Sequence, residues 1–448
     1  MNEIINAATF YYKDKCDCEK KVNEFLKIYE SKLYDFNSKE SKIITQNNKK
    51  RWVYYYEKDT FENIMCSHFS FVLSKKFAIK YNDRTKIIKE LINCLQLIKN
   101  MNDFTIIRFD FKNYFNSMSS TYIYEKYIQN ADISRDLLNI MQDFFKANRK
   151  CSAGLPTSNI LAELISKEFD LKLKANLLKY GVVYYERYVD DGLIILNSFI
   201  DINQFNEIIN CTIREVFYNQ QYTIKNQNVK LNNKKTKIIN KRLFNTNCNE
   251  KIIFLGYEII LNFVNGKINF KFGISEEKRK KYQNKFNLII EDYKKNKEME
   301  LLRQRILLFS RRVVYSDSNI NKNITWLSKG VVSNYNELRH FDSILEDETK
   351  KFLKKCIEIG FRKYNVPLPY FMKNNSGFSY NLYNNLMSNK SIIFDEKIGM
   401  SKEDLIRYCK KIGLSVEPHA NYEQILYQYL NKIKIQQKTP HCCSVFGL

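Results

Sequence analysis

Tyr188-Val189-Asp190-Asp191 decides the reading of this chain. Two adjacent carboxylates fall between two strand-like runs, Val182–Tyr188 and Gly192–Leu196, so the pattern predicts a β-hairpin with both acids at its tip. Two uncompensated negative charges at the end of buried strands are costly unless a cation is held there. Such acids suit two oxygen-liganded divalent ions about 3.5–4 Å apart, which clamp the attacking and leaving oxygens of an in-line displacement. The plain alternative is a turn, where Asp is common. A third acid on a neighbouring strand separates the two readings.

That acid is Asp110. It ends the apolar run Phe104–Asp110, 80 residues before Asp190. A strand ending in an acid, then helices, then an acidic hairpin, brings three carboxylates to one sheet edge. Three such groups would hold two Mg²⁺ ions with few protein ligands, leaving the remaining positions to water and a triphosphate.

Composition narrows the partner. The 448 residues carry 73 Lys and Arg against 49 Asp and Glu, a net charge of +24. An excess of this size points to a polyanion, nucleic acid ahead of an anionic membrane surface. Lys49-Lys50-Arg51, Lys278–Lys281, Arg311-Arg312 and Lys350-Lys351 spread the charge along the chain, which suits a groove better than a polybasic anchor. With 44% hydrophobic residues the chain is globular, and it has no apolar run of about 18 residues. Met1–Ile5 lacks a basic n-region and an apolar h-region, so a cytoplasmic protein with no membrane partner is expected. Eleven cysteines then read as reduced thiols. Cys16 and Cys18 are too close for zinc spacing, and His441-Cys442-Cys443 has no second cluster to complete four ligands.

No repeat or Gly- or Pro-rich linker divides the chain. Ser41–Gln46 and Arg51–Tyr56 read as strands joined by Asn47-Asn48-Lys49-Lys50, followed by helices from Thr60 to Ala78 and from Arg84 to Lys99. Ser158–Tyr180 reads as a long helix, with Ser158 as N-cap and Gly181 just past its end. Strands are expected at Val229–Leu231 and Lys251–Ile260. Beyond Ser275, itself an N-cap candidate, the pattern is mostly helical: Glu277–Lys297, Met299–Val314, Asp347–Arg362, Lys402–Lys411 and Tyr422–Ile433.

In this order the segments resemble a reverse transcriptase. Arg108–Phe115 resembles the first catalytic block of that family, an acid followed five residues later by an aromatic. Gly154–Ser158 resembles the block before the long palm helix, and Tyr188–Asp191 the metal-binding hairpin. Leu231–Lys237 resembles the block after it, and Phe254-Leu255-Gly256-Tyr257 the block leading to the thumb. The resemblance spans residues 104–260, and somewhat more than half of the chain with the fingers included.

It implies an α+β right-hand polymerase fold: an N-terminal extension and fingers over 1–100, a palm over 101–275, an α-helical thumb over 276–350 and a C-terminal helical domain over 351–448. It implies that Asp110 and Asp190 bind two Mg²⁺ ions directly, with Asp191 completing and tuning the site. Phe115 becomes a steric gate that favours dNTPs over ribonucleotides. Lys50 and Arg51 would meet the incoming triphosphate from the finger hairpin, with Arg84 a second finger candidate. Lys235 is either a proton donor to pyrophosphate or an ordinary surface lysine.

Two departures refine this. Common family members carry Gln-Gly where Thr157-Ser158 stands, and threonine cannot reproduce the two-ended contact of an amide. Asn159–Glu163 is similar to the helix start of bacterial abortive-infection and other defence-associated reverse transcriptases. The expected activity is RNA-directed DNA synthesis, with a non-coding RNA template, a DNA product and antiviral defence as the setting. A homo-oligomer is left open. Template-independent or protein-primed synthesis on the same fold, and a silent RNA-binding scaffold, are the alternatives.

Overall fold

In the computed structural model, residues 2–13, 17–46, 49–219, 221, 229–244, 248–264, 267–318, 324–373 and 380–434 are described. Cys16, the Asn47-Asn48 turn and His441–Cys443 lie outside them. The chain forms two compact units, Met1–Thr246 and Asn247–Leu448.

The first unit begins with helices α1 (Asn2–Tyr12) and α2 (Cys18–Glu30) and the antiparallel hairpin β1 (Glu40–Gln46) and β2 (Lys49–Tyr55). Helices α3 (Phe61–Lys76) and α4 (Arg84–Ile98) follow. Each starts on a side-chain cap: Thr60 accepts from the Asn63 amide and Asp83 from the Thr85 amide. Next come β3 (Thr105–Lys112), α5 (Ser120–Ile123), α6 (Arg135–Ala147), α7 (Pro156–Leu177), the hairpin β4 (Val182–Tyr188) and β5 (Asp191–Leu196), α8 (Ile202–Phe217), β6 (Lys230–Leu231) and β7 (Lys237–Asn240).

Strand β3 is the hub of the sheet. It pairs antiparallel with β5 on one side and with β7 and then β6 on the other. Alternation along β3 sends Ile107, Phe109 and Phe111 into the main core, while Arg108 and Asp110 take the opposite face. The Phe111 ring lies edge-on to Phe169 of α7 at 5.3 Å between centroids, which seats the long helix behind the sheet.

Helix α7 starts two residues before the position expected from Ser158. Pro156 occupies its first turn, where a missing N–H costs nothing, and Ser158 lies inside the helix with its Oγ donating to the Ser152 carbonyl at 2.7 Å.

The second unit holds β8 (Cys248–Phe254), β9 (Tyr257–Val264), β10 (Lys267–Ile274), α9 (Glu276–Asn296), α10 (Met299–Ser310), β11 (Arg312–Ser318), β12 (Ile324–Lys329), α11 (Val331–Asn334), α12 (Asp347–Lys363), α13 (Tyr370–Lys373), α14 (Leu382–Met387), β13 (Ser391–Phe394), α15 (Lys402–Lys411) and α16 (Tyr422–Ile433). The single strand expected over Lys251–Ile260 is a hairpin. Leu255 and Gly256 both take positive φ, 48° and 81°, and close a two-residue turn, after which β10 adds a third strand.

The expectation of a helix over Met299–Val314 in a mostly helical region beyond 275 also needs correction. The helix begun at Met299 stops at Ser310, and Val313 and Val314 belong to β11, which pairs with β12 and, in parallel, with β13. The β-branched pair followed by Tyr315 fits a strand against this small core better than another turn of helix. Ser275 stands at the N-cap of α9 without a side-chain capping bond, above a first turn holding Glu276 and Glu277. Among the described residues no helix is long and apolar enough to cross a membrane.

Candidate active site

Register places the acids. On β3 and β5, Asp110 lies directly opposite Asp191. Asp190 occupies the turn between β4 and β5, and its carbonyl accepts the Phe111 amide at 3.0 Å. The turn is tight, with Val189 at φ 58°. The residue after the acids has to be glycine: a Cβ on Gly192 would lie 2.2 Å from the Phe109 ring directly across the strand pair.

Each carboxylate has partners. Asp110 is 3% exposed. Its Oδ1 accepts from Asn232 Nδ2 at 2.9 Å, and its Oδ2 pairs with Lys235 Nζ at 2.6 Å. The Asn232 amide donates to the Asp110 carbonyl at 2.7 Å, so the loop between β6 and β7 wraps around this residue. Arg108, two positions earlier on the same face, forks onto Asp191 through Nε at 2.9 Å and Nη2 at 3.2 Å.

Burial pushes the Asp190 carboxyl pKa up, and the negative charge of Asp110 adds to this; its own amide, Lys235 and Arg51 pull it back. Asp191 is also raised, by burial first, against the opposing pull of Arg108. Carboxyls that resist ionisation because they are buried beside one another form a site where a divalent cation would be stabilised. Among the described residues, no group of three or more His, Cys, Asp or Glu side chains converges as a ready metal cage. The donors nevertheless fit Mg²⁺, which takes hard oxygens, needs only one or two carboxylates and keeps several waters.

The other expected site residues are divided. Arg51, exposed on β2, lies close enough for its charge to act on Asp190. Lys50 is exposed beside it, opposite Thr45 on the hairpin. Phe115 sits half-buried in a short turn after β3, its ring edge-on to Tyr114 at 5.3 Å. Lys235 is held on Asp110. Arg84 opens α4. Thr157, placed by the resemblance among the nucleotide-facing positions, is 1% exposed, with its hydroxyl 3.9 Å from Cys66 Sγ of α3.

Sequence reading missed Arg108, Asn232 and Arg187. The first could have been found from its two-residue spacing to Asp110 on a strand, and the second from its place beside the end of β6. Arg187 gives no such signal, because its partners Glu163 and Asp170 are on α7.

No protein-family model matches this chain, and neither does any curated protein. Among solved structures it is similar to apo telomerase from Candida tropicalis truncated from its C-terminal domain, at 14% identity and TM-score 0.34, covering 55% of this chain and 59% of that one. Telomerase from Candida albicans in complex with the TWJ fragment of telomeric RNA gives 15% identity and TM-score 0.35, covering 88% and 66%. The Candida tropicalis enzyme in the same kind of complex gives 12% and 0.33, covering 92% and 68%. The chain thus spans about three fifths to two thirds of the length of these proteins. Likeness this slight carries no argument about function, and the site is read from its own geometry.

Proposed function

We propose that this protein is an Mg²⁺-dependent DNA polymerase of the reverse-transcriptase class, building DNA from dNTPs on an RNA template. In this reading the hairpin β1–β2 belongs to the fingers, β3–β7 to the palm, and the segments after about residue 275 to a thumb and a C-terminal domain. The observation that carries the reading is the register of Asp110 on Asp191, with Asp190 beside them in the turn.

Asp110 and Asp190 are the residues that hold the metal ions. Bound Mg²⁺ supplies a more acidic primer hydroxyl and a counter-charge for the leaving phosphates. Arg108 opposes the upward push of burial on the Asp191 carboxyl and orients it through its fork. Lys235, an ammonium 2.6 Å from Asp110, would give the leaving pyrophosphate a proton or a charge partner. Arg51 and Lys50 bring further positive charge to the triphosphate. Phe115 lies under the sugar and excludes a 2′-hydroxyl. The net charge of +24 supports a stably bound non-coding RNA as partner and template, and Asn159–Glu163 supports a setting in bacterial anti-phage defence.

One observation favours a second reading. Thr157 is buried in the first turn of α7, so this position offers no side-chain amide to a template base. Synthesis without a template, or primed from a protein hydroxyl, is then possible on the same metal site.

The test is dNTP incorporation by the purified protein with its co-purifying nucleic acid. Asp190→Ala and Asp191→Ala each abolish it if the site is correctly assigned. Full activity in either variant removes that residue from the site, and product sequencing on a supplied heteropolymer separates copying from untemplated addition.

A further inference from the structure

Arg187 is the last residue but one of β4, and it is almost wholly buried, at 4% exposure. Its guanidinium reaches two acids that stand seven residues, two helical turns, apart on one face of α7. Nη1 and Nη2 fork onto Glu163 at 3.1 and 2.9 Å. Nε and Nη2 fork onto Asp170, each at 2.9 Å at their nearest oxygens. Asp170 also accepts from the Tyr185 hydroxyl at 2.8 Å, and Nη1 lies 3.4 Å from the Tyr114 hydroxyl.

These contacts alone would describe a core ion cluster. One more bond points elsewhere: Arg187 Nη1 donates to the carbonyl of Val189 at 2.8 Å. Val189 is the turn residue directly before Asp190, and it holds φ 58°. A β-branched residue in that region is strained and persists only where its surroundings fix it. The next carbonyl, that of Asp190, is fixed by the Phe111 amide. The turn that presents Asp190 is therefore tied at two successive carbonyls, once to β3 and once, through Arg187, to the long helix.

We propose that Arg187 is a positioning residue for the metal site: anchored by Glu163 and Asp170, it holds Val189 in its left-handed conformation and so sets the Asp190 carboxylate at ion-binding distance from Asp110. This rests on the polymerase reading of the same site. A lysine at 187 keeps the charge but cannot span two carboxylates and a carbonyl with one fixed fork. Misplacement of a reacting group by about 1 Å can cost on the order of 100-fold in rate.

The test is a double-mutant cycle of Arg187→Lys and Val189→Gly, read in two ways. The first readout is steady-state dNTP incorporation. R187K lowers kcat by about 10–100-fold at a nearly unchanged KM for dNTP. In the V189G background, where glycine takes positive φ without strain, the same substitution costs less. The second readout is Mn²⁺ titration followed by electron paramagnetic resonance, which needs no turnover. R187K raises the half-saturating Mn²⁺ concentration, and V189G shrinks that shift.

Additive effects in both readouts, or unchanged kcat and Mn²⁺ affinity in a folded R187K, overturn the proposal and leave Arg187 a core ion pair. An inactive wild-type protein that still shows the Mn²⁺ coupling defeats the polymerase reading and keeps this one. Where R187K does not fold, Glu163→Gln and Asp170→Asn replace it, each leaving Arg187 half its anchor. Coupling of either to V189G supports the proposal, and additivity of both overturns it.

Discussion

Arg108 and Asp191 are locked together across the β3–β5 pair, the guanidinium donating to both carboxylate oxygens at 2.9 and 3.2 Å. Asp191 stands directly opposite Asp110, so this fork governs which way Asp191 can turn beside Asp110 and Asp190. Arg108→Ala leaves a half-buried carboxylate without its counter-charge. The expected outcome is a loss of about 1–3 kcal/mol in urea unfolding and a fall in incorporation rate. Unchanged unfolding and unchanged rate would show the fork to be incidental.

Asp190 carries a pH signature. Burial, then the charge of Asp110, raise its pKa in the folded protein. A carboxyl with a folded pKa above its unfolded value binds its proton more tightly when folded, so stability falls as pH rises through that range and stays reduced at neutral pH. In EDTA, Asp190→Asn is expected to melt above the parent at pH 7. The gap closes as pH falls through the folded pKa, where both side chains are neutral. A constant gap across the titration contradicts this assignment.

Phe115 tests sugar selection. If its ring excludes a 2′-hydroxyl, Phe115→Ala raises ribonucleotide incorporation relative to dNTP by about 10–200-fold, the range a single small group commands in an apolar pocket. Competition between rATP and dATP on one primer measures it. An unchanged ratio removes Phe115 from the gate.

Gly154 ties the β1–β2 hairpin to the start of α7. It has φ 106°, and a Cβ there would lie 2.4 Å from Val53 Cγ1 and 2.5 Å from the Tyr54 carbonyl oxygen. The Tyr54 amide donates to the neighbouring Ala153 carbonyl at 2.8 Å. Gly154→Ala is expected to destabilise the protein by about 1–3 kcal/mol and to raise KM for dNTP, because β2 also carries Arg51. Wild-type unfolding and KM together would show that the hairpin is not braced here.

What was legible in the sequence was short in range. Asp110, Asp190 and Asp191 could be read because strand runs ending in acids are local patterns. The partners of those acids are harder to read, because most come from distant segments. Lys235 and Asn232 meet Asp110 across more than a hundred residues, and Arg187 finds Glu163 and Asp170 only once α7 lies behind the hairpin. Where reading failed locally, a single backbone feature decided. Leu255-Gly256 folds one apparent strand into two, and Pro156 begins a helix that Ser158 was expected to cap. The strand at Arg312–Ser318 was hidden because its valines satisfy helical and extended periodicities alike until the pairing with β13 is seen.

The alternation along β3 has a genetic corollary. Phe109 and Phe111 belong to the main core and Arg108 and Asp110 to the opposite face, while the strand is paired on both edges. Gaining or losing one codon between Thr105 and Lys112 would turn every later side chain of the strand over, exchanging Asp110 for a phenyl ring. A substitution in this stretch changes one contact, whereas a change of length exchanges the two faces of the strand.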